Sequence, residues 1–144
     1  MAVTQNIQVL RDGYRNYVVR LTGQCVAGDA DTAPAVLVNV ATMNPPALAL
    51  RVDRVKFSLP HGTPLDVQLW WQATTNELFS GMGGGDDGDY WNFGGLTNNA
   101  TPGATGNIMW SVSGASSALG LTAGTTLTFA VIIECVKLQP IYPV

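Results

Sequence analysis

The stretch LRVDRVKFSLPHGTPLDVQLWW, residues 50–71, decides the fold, because it contains two strands joined by a short turn at Pro60-His61-Gly62. Alternate residues of a strand share a face. In the second strand one face holds Leu65, Val67, Leu69, Trp71 and Ala73, and the other holds Asp66, Gln68, Trp70 and Gln72. Trp71 therefore belongs to the core, whereas Trp70 stands on a polar face. A large aromatic ring there indicates contact with another sheet or with a partner.

The first strand of this stretch, predicted over 49–59, changes its phase part of the way along. Leu50 and Val52 share one face, whereas the later apolar residues of the strand share the other. The phase slips at Asp53-Arg54, where two polar residues are adjacent. A β-bulge absorbs one extra residue and bends the strand, so we predict a bulge at this point.

Apolar alternation and turn residues extend the same interpretation to the whole chain. Strands are predicted at 4–11, 15–26, 35–41, 49–59, 65–74, 77–81, 107–113 and 125–138, and no helix is predicted. Eight strands in 144 residues indicate an all-β, two-sheet antiparallel sandwich, with a jelly roll as the favoured form. An immunoglobulin-like sandwich is the alternative. We expect a single domain over 1–137 and an extended carboxyl-terminal tail over 138–144.

Charge and apolar content restrict the partners. Only 12% of the residues are charged, about half of the usual ~25%, and the net charge is −3. The seven basic residues form no run, so we expect no nucleic-acid partner. The longest apolar run, 129–133, is too short to cross a membrane, and the amino-terminal sequence predicts no signal peptide. Cys25 and Cys135 are in phase with apolar neighbours, which predicts two buried free thiols.

Catalytic motifs are lacking in the sequence. The one histidine, His61, lies in a turn, and neither a nucleophile elbow nor a phosphate-binding loop is present. We therefore expect no enzyme activity and no cofactor. Three aspartates in a glycine-rich loop, Asp86, Asp87 and Asp89, offer oxygen ligands of the kind that calcium prefers. The EF-hand spacing is missing, so a solvated acidic loop is favoured and calcium binding stays open.

Two further segments contain large apolar side chains but lack strand periodicity. One is the loop over 81–106, which is unusually long for a compact domain. The other is the proline-containing tail. Together with the second strand they supply the predicted interface residues, which are Trp70, Trp91, Phe93, Leu96, Ile141 and Tyr142. We expect these side chains to contact neighbouring protein, although exposed aromatic rings also stack on sugars, which keeps a carbohydrate-binding module as the alternative function.

Several short segments resemble a known family. They are VDRV at 52–55, VQLWWQATT at 67–75, FGGL at 93–96, PGATGNI at 102–108 and VSGA at 112–115. These segments, and the chain over about residues 3 to 137, resemble the capsid decoration or cement proteins of tailed bacteriophages. The chain departs from the family pattern at two positions. Trp70 stands where the family has leucine, and Gln72 stands where the family has an acidic residue.

The resemblance implies a function without catalysis. It implies a jelly-roll or sandwich protein that is made in the bacterial host cytoplasm and sits on the outer surface of the virion. Its partners would be the major capsid protein, whose subunits it bridges, and further copies of itself, with a trimer favoured over a dimer. We expect self-association through Trp70 and the aromatic part of the glycine-rich loop, and capsid contact through the termini.

Overall fold

The computed structural model describes residues 3–59, 65–81, 88–100, 102–115, 122 and 124–140, which contain ten β-strands and no α-helix. The strands are β1 (Thr4–Asp12), β2 (Asn16–Val26), β3 (Ala35–Val38), β4 (Ala47–Ser58), β5 (Asp66–Trp71), β6 (Glu77–Gly81), β7 (Gly88–Asp89), β8 (Leu96–Thr97), β9 (Ile108–Ser113) and β10 (Thr126–Pro140). Two short 3-10 helices lie at Val40–Thr42 and Trp91–Phe93. The strand predictions are confirmed within a few residues, except that β7 and β8 were not foreseen.

The strands form two antiparallel sheets that pack face to face. The larger sheet has the order β1-β2-β10-β4, and both β7 and β8 pair with β4. The smaller sheet has the order β3-β9-β5-β6. Apart from β1, the strand order of both sheets matches that of a jelly roll. The predicted two-sheet antiparallel sandwich is confirmed. Strand β1 is an addition at the outer edge, beside β2.

The core lies between the sheets and is filled by alternate residues of the central strands. Residues 127, 129, 131, 133 and 135 of β10 are buried in the predicted inward phase. Trp71 is 1% exposed, and its ring stacks on Phe79 with 4.3 Å between centroids. Gly23 lies opposite Phe129 in the β2–β10 pair, where a side chain on the glycine would collide with the phenyl ring. Both cysteines are buried and free, as predicted.

A buried lysine near the end of β10 bonds to residues near the end of β1 and before β4. Lys137 of β10 is wholly buried, and its Nζ lies 2.6 Å from Asp12 Oδ1 and 2.8 Å from the Pro45 carbonyl oxygen. The other oxygen of Asp12 accepts from the backbone N–H of Asn44 at 2.9 Å. A buried ammonium group needs such partners because its desolvation is costly.

The predicted tail begins inside β10. Leu138 pairs with Ala49 and Pro140 pairs with Ala47, so the last strand continues to Pro140. Residues 141–144, which include the predicted interface residues Ile141 and Tyr142, lie outside the described residues. The turn with His61 and the loop residues Asp86 and Asp87 also lie outside them.

Candidate interaction surfaces

A β-bulge in β4 lies where the sequence predicted it. Glu134 of β10 pairs with Arg54, and the next residue, Cys135, pairs with Val52, so that Asp53 is left without a partner across the strand. The free carbonyl oxygen of Asp53 accepts a hydrogen bond from the N–H of Tyr90 at 2.7 Å. The bulge therefore provides an attachment point for the segment that follows β7.

The segment attached to the bulge presents two aromatic side chains, and we name Trp91–Phe93 the aromatic turn. It is a single 3-10 turn between β7 and β8, which both pair with β4. The N–H groups of Phe93 and Gly95 donate to the Tyr90 carbonyl at 3.0 and 2.8 Å. Gly94 and Gly95 close the turn with φ of 85° and 79°, a conformation that favours glycine. Backbone hydrogen bonds thus hold the turn in one shape.

The rings of the aromatic turn are exposed to solvent. Phe93 is 87% exposed and Trp91 is 52% exposed. Leu96, the third predicted interface residue of this loop, behaves differently, because it pairs with Val52 and packs half-buried against the core. Exposed aromatic side chains on an ordered turn are typical of binding surfaces. The described part of the fold offers these two rings no place in the core.

Beside Trp91 lies a small groove on the outer face of the larger sheet. The Arg54 guanidinium group is 6.0 Å from the centre of the Trp91 ring, and its Nε lies 3.6 Å from Asp89 and 3.7 Å from Glu134. The groove has a volume of about 310 Å³ and is also lined by Asn16. An aromatic ring beside charged and amide groups can stack on a flat ligand while hydrogen bonds fix its orientation.

Trp70 lies on the other sheet, on the outward face that its phase predicted. Its indole N–H donates to Ser111 Oγ at 2.9 Å, and the side chain is half-buried. Cross-strand pairing places Trp70 in line with Val36, Met109 and Leu78. These four side chains form an apolar row across all four strands of the smaller sheet, and Val36 and Leu78 at its ends are exposed.

The predicted interface residues therefore do not form one patch. Trp91 and Phe93 lie at the edge of the larger sheet, whereas Trp70 belongs to the apolar row on the outer face of the smaller sheet. The row itself could not be predicted from the sequence, because its members come from four separate strands. It also missed the exposure of β1, where Ile7, Val9 and Leu10 are all exposed.

Metal and thiol chemistry receive no support in the described segments. They contain no cluster of three or more histidine, cysteine, aspartate or glutamate residues suited to a metal ion. Asp89 of the acidic loop lies near Arg54 instead. Burial raises the pKa of the Cys135 thiol, and Asp53 and Glu134 raise it further, so this thiol stays protonated and unreactive at neutral pH.

Within the described part of the chain, no helical segment has the length and apolar character that spanning a bilayer requires. Comparison with known proteins supplies no relative: no protein-family model matches the chain, and no curated protein or solved structure matches it either.

Proposed function

We propose that this protein is a virion structural protein that binds the outer surface of a phage capsid and bridges subunits of the major capsid protein. The observation that carries the proposal is the aromatic turn, with its two exposed rings on an ordered backbone. Bridging also needs more than one capsid-binding surface in one assembly, and self-association through the turn and the apolar row of Trp70, which lie on different sheets, would supply it. The family resemblance supplies the identity of the partner.

The energetics suit contact between proteins. Burial of one large apolar side chain contributes about 1.5–3 kcal/mol, and a turn that is already ordered loses little further entropy on binding. A protein that binds only the assembled shell stabilises it by mass action. Many copies on one shell add avidity to a modest single interface.

Self-association is the second part of the proposal. We assign it to the aromatic turn and the apolar row, with a trimer favoured over a dimer. In such an assembly each copy covers rings that the single chain leaves exposed. The assembly then presents several equivalent capsid-binding surfaces at once, which increases the avidity of decoration.

The test combines mass measurement with capsid binding. We expect the purified protein to be an oligomer by light scattering and to co-sediment with expanded, undecorated capsids. The double variant Trp91→Ala/Phe93→Ala should shift to the monomer mass and bind capsids more weakly, because it loses the turn contacts. Tyr14→Ala removes another exposed ring, from the β1–β2 turn, and serves as the matched control. A wild-type protein that is strictly monomeric and ignores capsids would falsify the proposal.

A carbohydrate-binding module is the second candidate, and the groove beside Trp91 favours it. The exposed indole ring next to Asn16 and Glu134 has the chemistry of a sugar-stacking site. In that case Trp91→Ala should abolish retention on immobilised bacterial polysaccharide, whereas Phe93→Ala, which lies outside the groove lining, should not. If both variants are retained as well as the wild type, sugar binding at this groove is excluded.

A further inference from the structure

The fold collects the basic residues, which form no run in the sequence, on one sheet. All seven lysines and arginines belong to strands of the larger sheet or to the turn between β1 and β2. They are Arg11, Arg15, Arg20, Arg51, Arg54, Lys56 and Lys137. The strands of the smaller sheet carry Asp66 and Glu77 and no basic residue. The two sides of the sandwich therefore differ in charge.

Each acidic residue in the described strands of the larger sheet lies close to a basic residue. Asp12 pairs with Lys137, Asp53 pairs with Arg51 at 2.8 Å, and both Asp89 and Glu134 lie near Arg54. Arg20 of β2 and Lys56 of β4 have no ion pair with any residue that the structure describes. Both side chains are exposed, so their charges are available to a partner.

Arg20 and Lys56 lie in one row across the larger sheet. Arg20 pairs with Ile132 of β10, and Ile132 pairs with Lys56 on its other side. Residues paired in this way point to the same face, and two strand spacings place their Cα atoms about 10 Å apart. The two cations thus flank one apolar side chain on the outer face, within reach of a single extended peptide.

A polar groove of about 450 Å³ adjoins this row. Arg20 forms part of its wall, and the lining contains no acidic residue. The hydroxyl and amide groups that line it come from Thr4, Gln5, Asn6, Thr22, Gln24, Ser58 and Thr128. The hydroxyls of Thr4 and Thr22 already donate to the backbone carbonyl oxygens of Gln24 and Asn6. Uncharged hydrogen-bonding groups beside a guanidinium and an ammonium group suit carboxylate oxygens. We call the groove and Lys56 together the cationic groove.

We infer that the cationic groove binds an acidic segment of the capsid protein, a partner that rests on the proposed function. Charge complementarity selects this occupant, because Arg20 in the wall and Lys56 beside the groove are uncompensated cations and the lining contains no carboxylate. A polyanion such as nucleic acid needs a denser basic surface than two side chains. The groove extends to Thr4 of β1, and none of its lining residues belongs to the aromatic turn, although both lie on the larger sheet. Capsid contact and self-association would then use different residues of one sandwich.

The first test measures capsid binding by charge-reversal variants. The double variant Arg20→Glu/Lys56→Glu should bind capsids at least about tenfold more weakly than the wild type while keeping its oligomeric mass. Its affinity should also lose most of its dependence on NaCl between about 50 and about 300 mM, because screening acts on these pairs. Arg15→Glu, an exposed reversal outside the groove lining, is the control and should change the affinity by less than about twofold.

A second test needs no capsid. Hexaglutamate should shift the amide resonances of Thr22 and Ala130 in NMR spectra of the wild type, and hexaglutamine should not. Hexaglutamate shifts without any capsid binding would support the groove and refute the proposed function. Capsid binding that is equal in the wild type and the double variant would overturn the groove and leave the proposed function standing. Equal shifts with both peptides would also overturn the proposal that the cationic groove binds acidic segments.

Discussion

Trp71 and Trp91 are both tryptophans, but the first is buried in the core and the second is exposed to solvent. Trp71 lies on the inward phase of a central strand, 1% exposed and stacked on Phe79. Trp91 lies on a turn at the edge of the larger sheet, 52% exposed, with Arg54 over its ring. The first ring contributes its burial energy to folding of the single chain. The second contributes less to folding and leaves about half of its surface exposed, where the proposed neighbour would cover it.

The difference follows from what holds each ring in place. Side-chain packing between two sheets positions Trp71, so its removal leaves a cavity. Backbone hydrogen bonds around Tyr90 position the aromatic turn, so its side chains can change without disturbing the turn. The residues that stabilise the fold are therefore different from those that we propose to contact a neighbour.

Replacement of Trp71 by alanine gives the largest expected effect. The variant should lose about 3–5 kcal/mol of unfolding free energy, because a buried ring is replaced by a cavity. Urea denaturation followed by circular dichroism measures this loss. Trp70→Ala is the adjacent control, and the half-buried position of Trp70 predicts a loss of only about 1 kcal/mol, chiefly from its bond to Ser111. Equal losses in the two variants would contradict the assignment of faces.

Gly23→Ala tests the interior by overpacking. The new methyl group would meet the ring of Phe129, which is itself confined by Trp110 at 6.0 Å between centroids. We expect a loss of about 1–3 kcal/mol in urea denaturation. Gly13→Ala places its methyl group no closer than 3.6 Å to other atoms and should change the unfolding free energy by less than about 0.5 kcal/mol. Full stability of Gly23→Ala would show that the β2–β10 pair is looser than described.

Alkaline pH should destabilise the interior. Burial raises the pKa of the Cys135 thiol above 9.0 and that of the Tyr17 hydroxyl above 10.0. The unfolded chain therefore loses these protons first, so stability is full below pH 9 and falls as pH rises toward the folded-state pKa values. The expected slope is at most about 1.4 kcal/mol per pH unit for each group. Denaturation at about pH 8 and about pH 10 measures it, and Cys135→Ala should have a shallower slope. An unchanged slope would exclude the Cys135 thiol as a cause of the pH dependence of stability.

The smallest expected change in stability belongs to the aromatic turn. Trp91→Ala/Phe93→Ala should unfold within about 0.5 kcal/mol of the wild type at a protein concentration where both are monomers, because exposed substitutions rarely cost more. Denaturation at several concentrations provides that comparison, since association stabilises the folded wild type by mass action. A loss of several kcal/mol at every concentration would place the rings in the core.

The sequence predicted regular strands and their defects well. Alternation along β5 and β10 places Trp71 and Cys135 correctly in the core, because a strand with one buried face has a period of two. The phase slip at Asp53 predicts the bulge for the same reason, since an extra residue reverses the alternation. Both features are local, and both are visible in a few consecutive residues.

Features that depend on topology could not be predicted from the sequence. Strands β7 and β8 have two residues each, which is too short for any periodicity. Strand β3 ends at Val38, and a 3-10 helix takes the place of the predicted continuation to residue 41. The side chain of Asn39 caps this helix by accepting a hydrogen bond from the N–H of Ala41. Arg20 and Lys56 are far apart in the sequence, and they share a row only because β10 lies between their strands.

The position of β10 also has a consequence for biosynthesis. It is the last of the ten strands to leave the ribosome, yet it lies between β2 and β4 in the larger sheet and carries Lys137, the partner of Asp12. Until it has been translated, β2 and β4 cannot be joined and the sandwich has an open side. Folding of this sandwich should therefore be completed only once β10 has been translated, in one late step that depends on contacts distant in sequence.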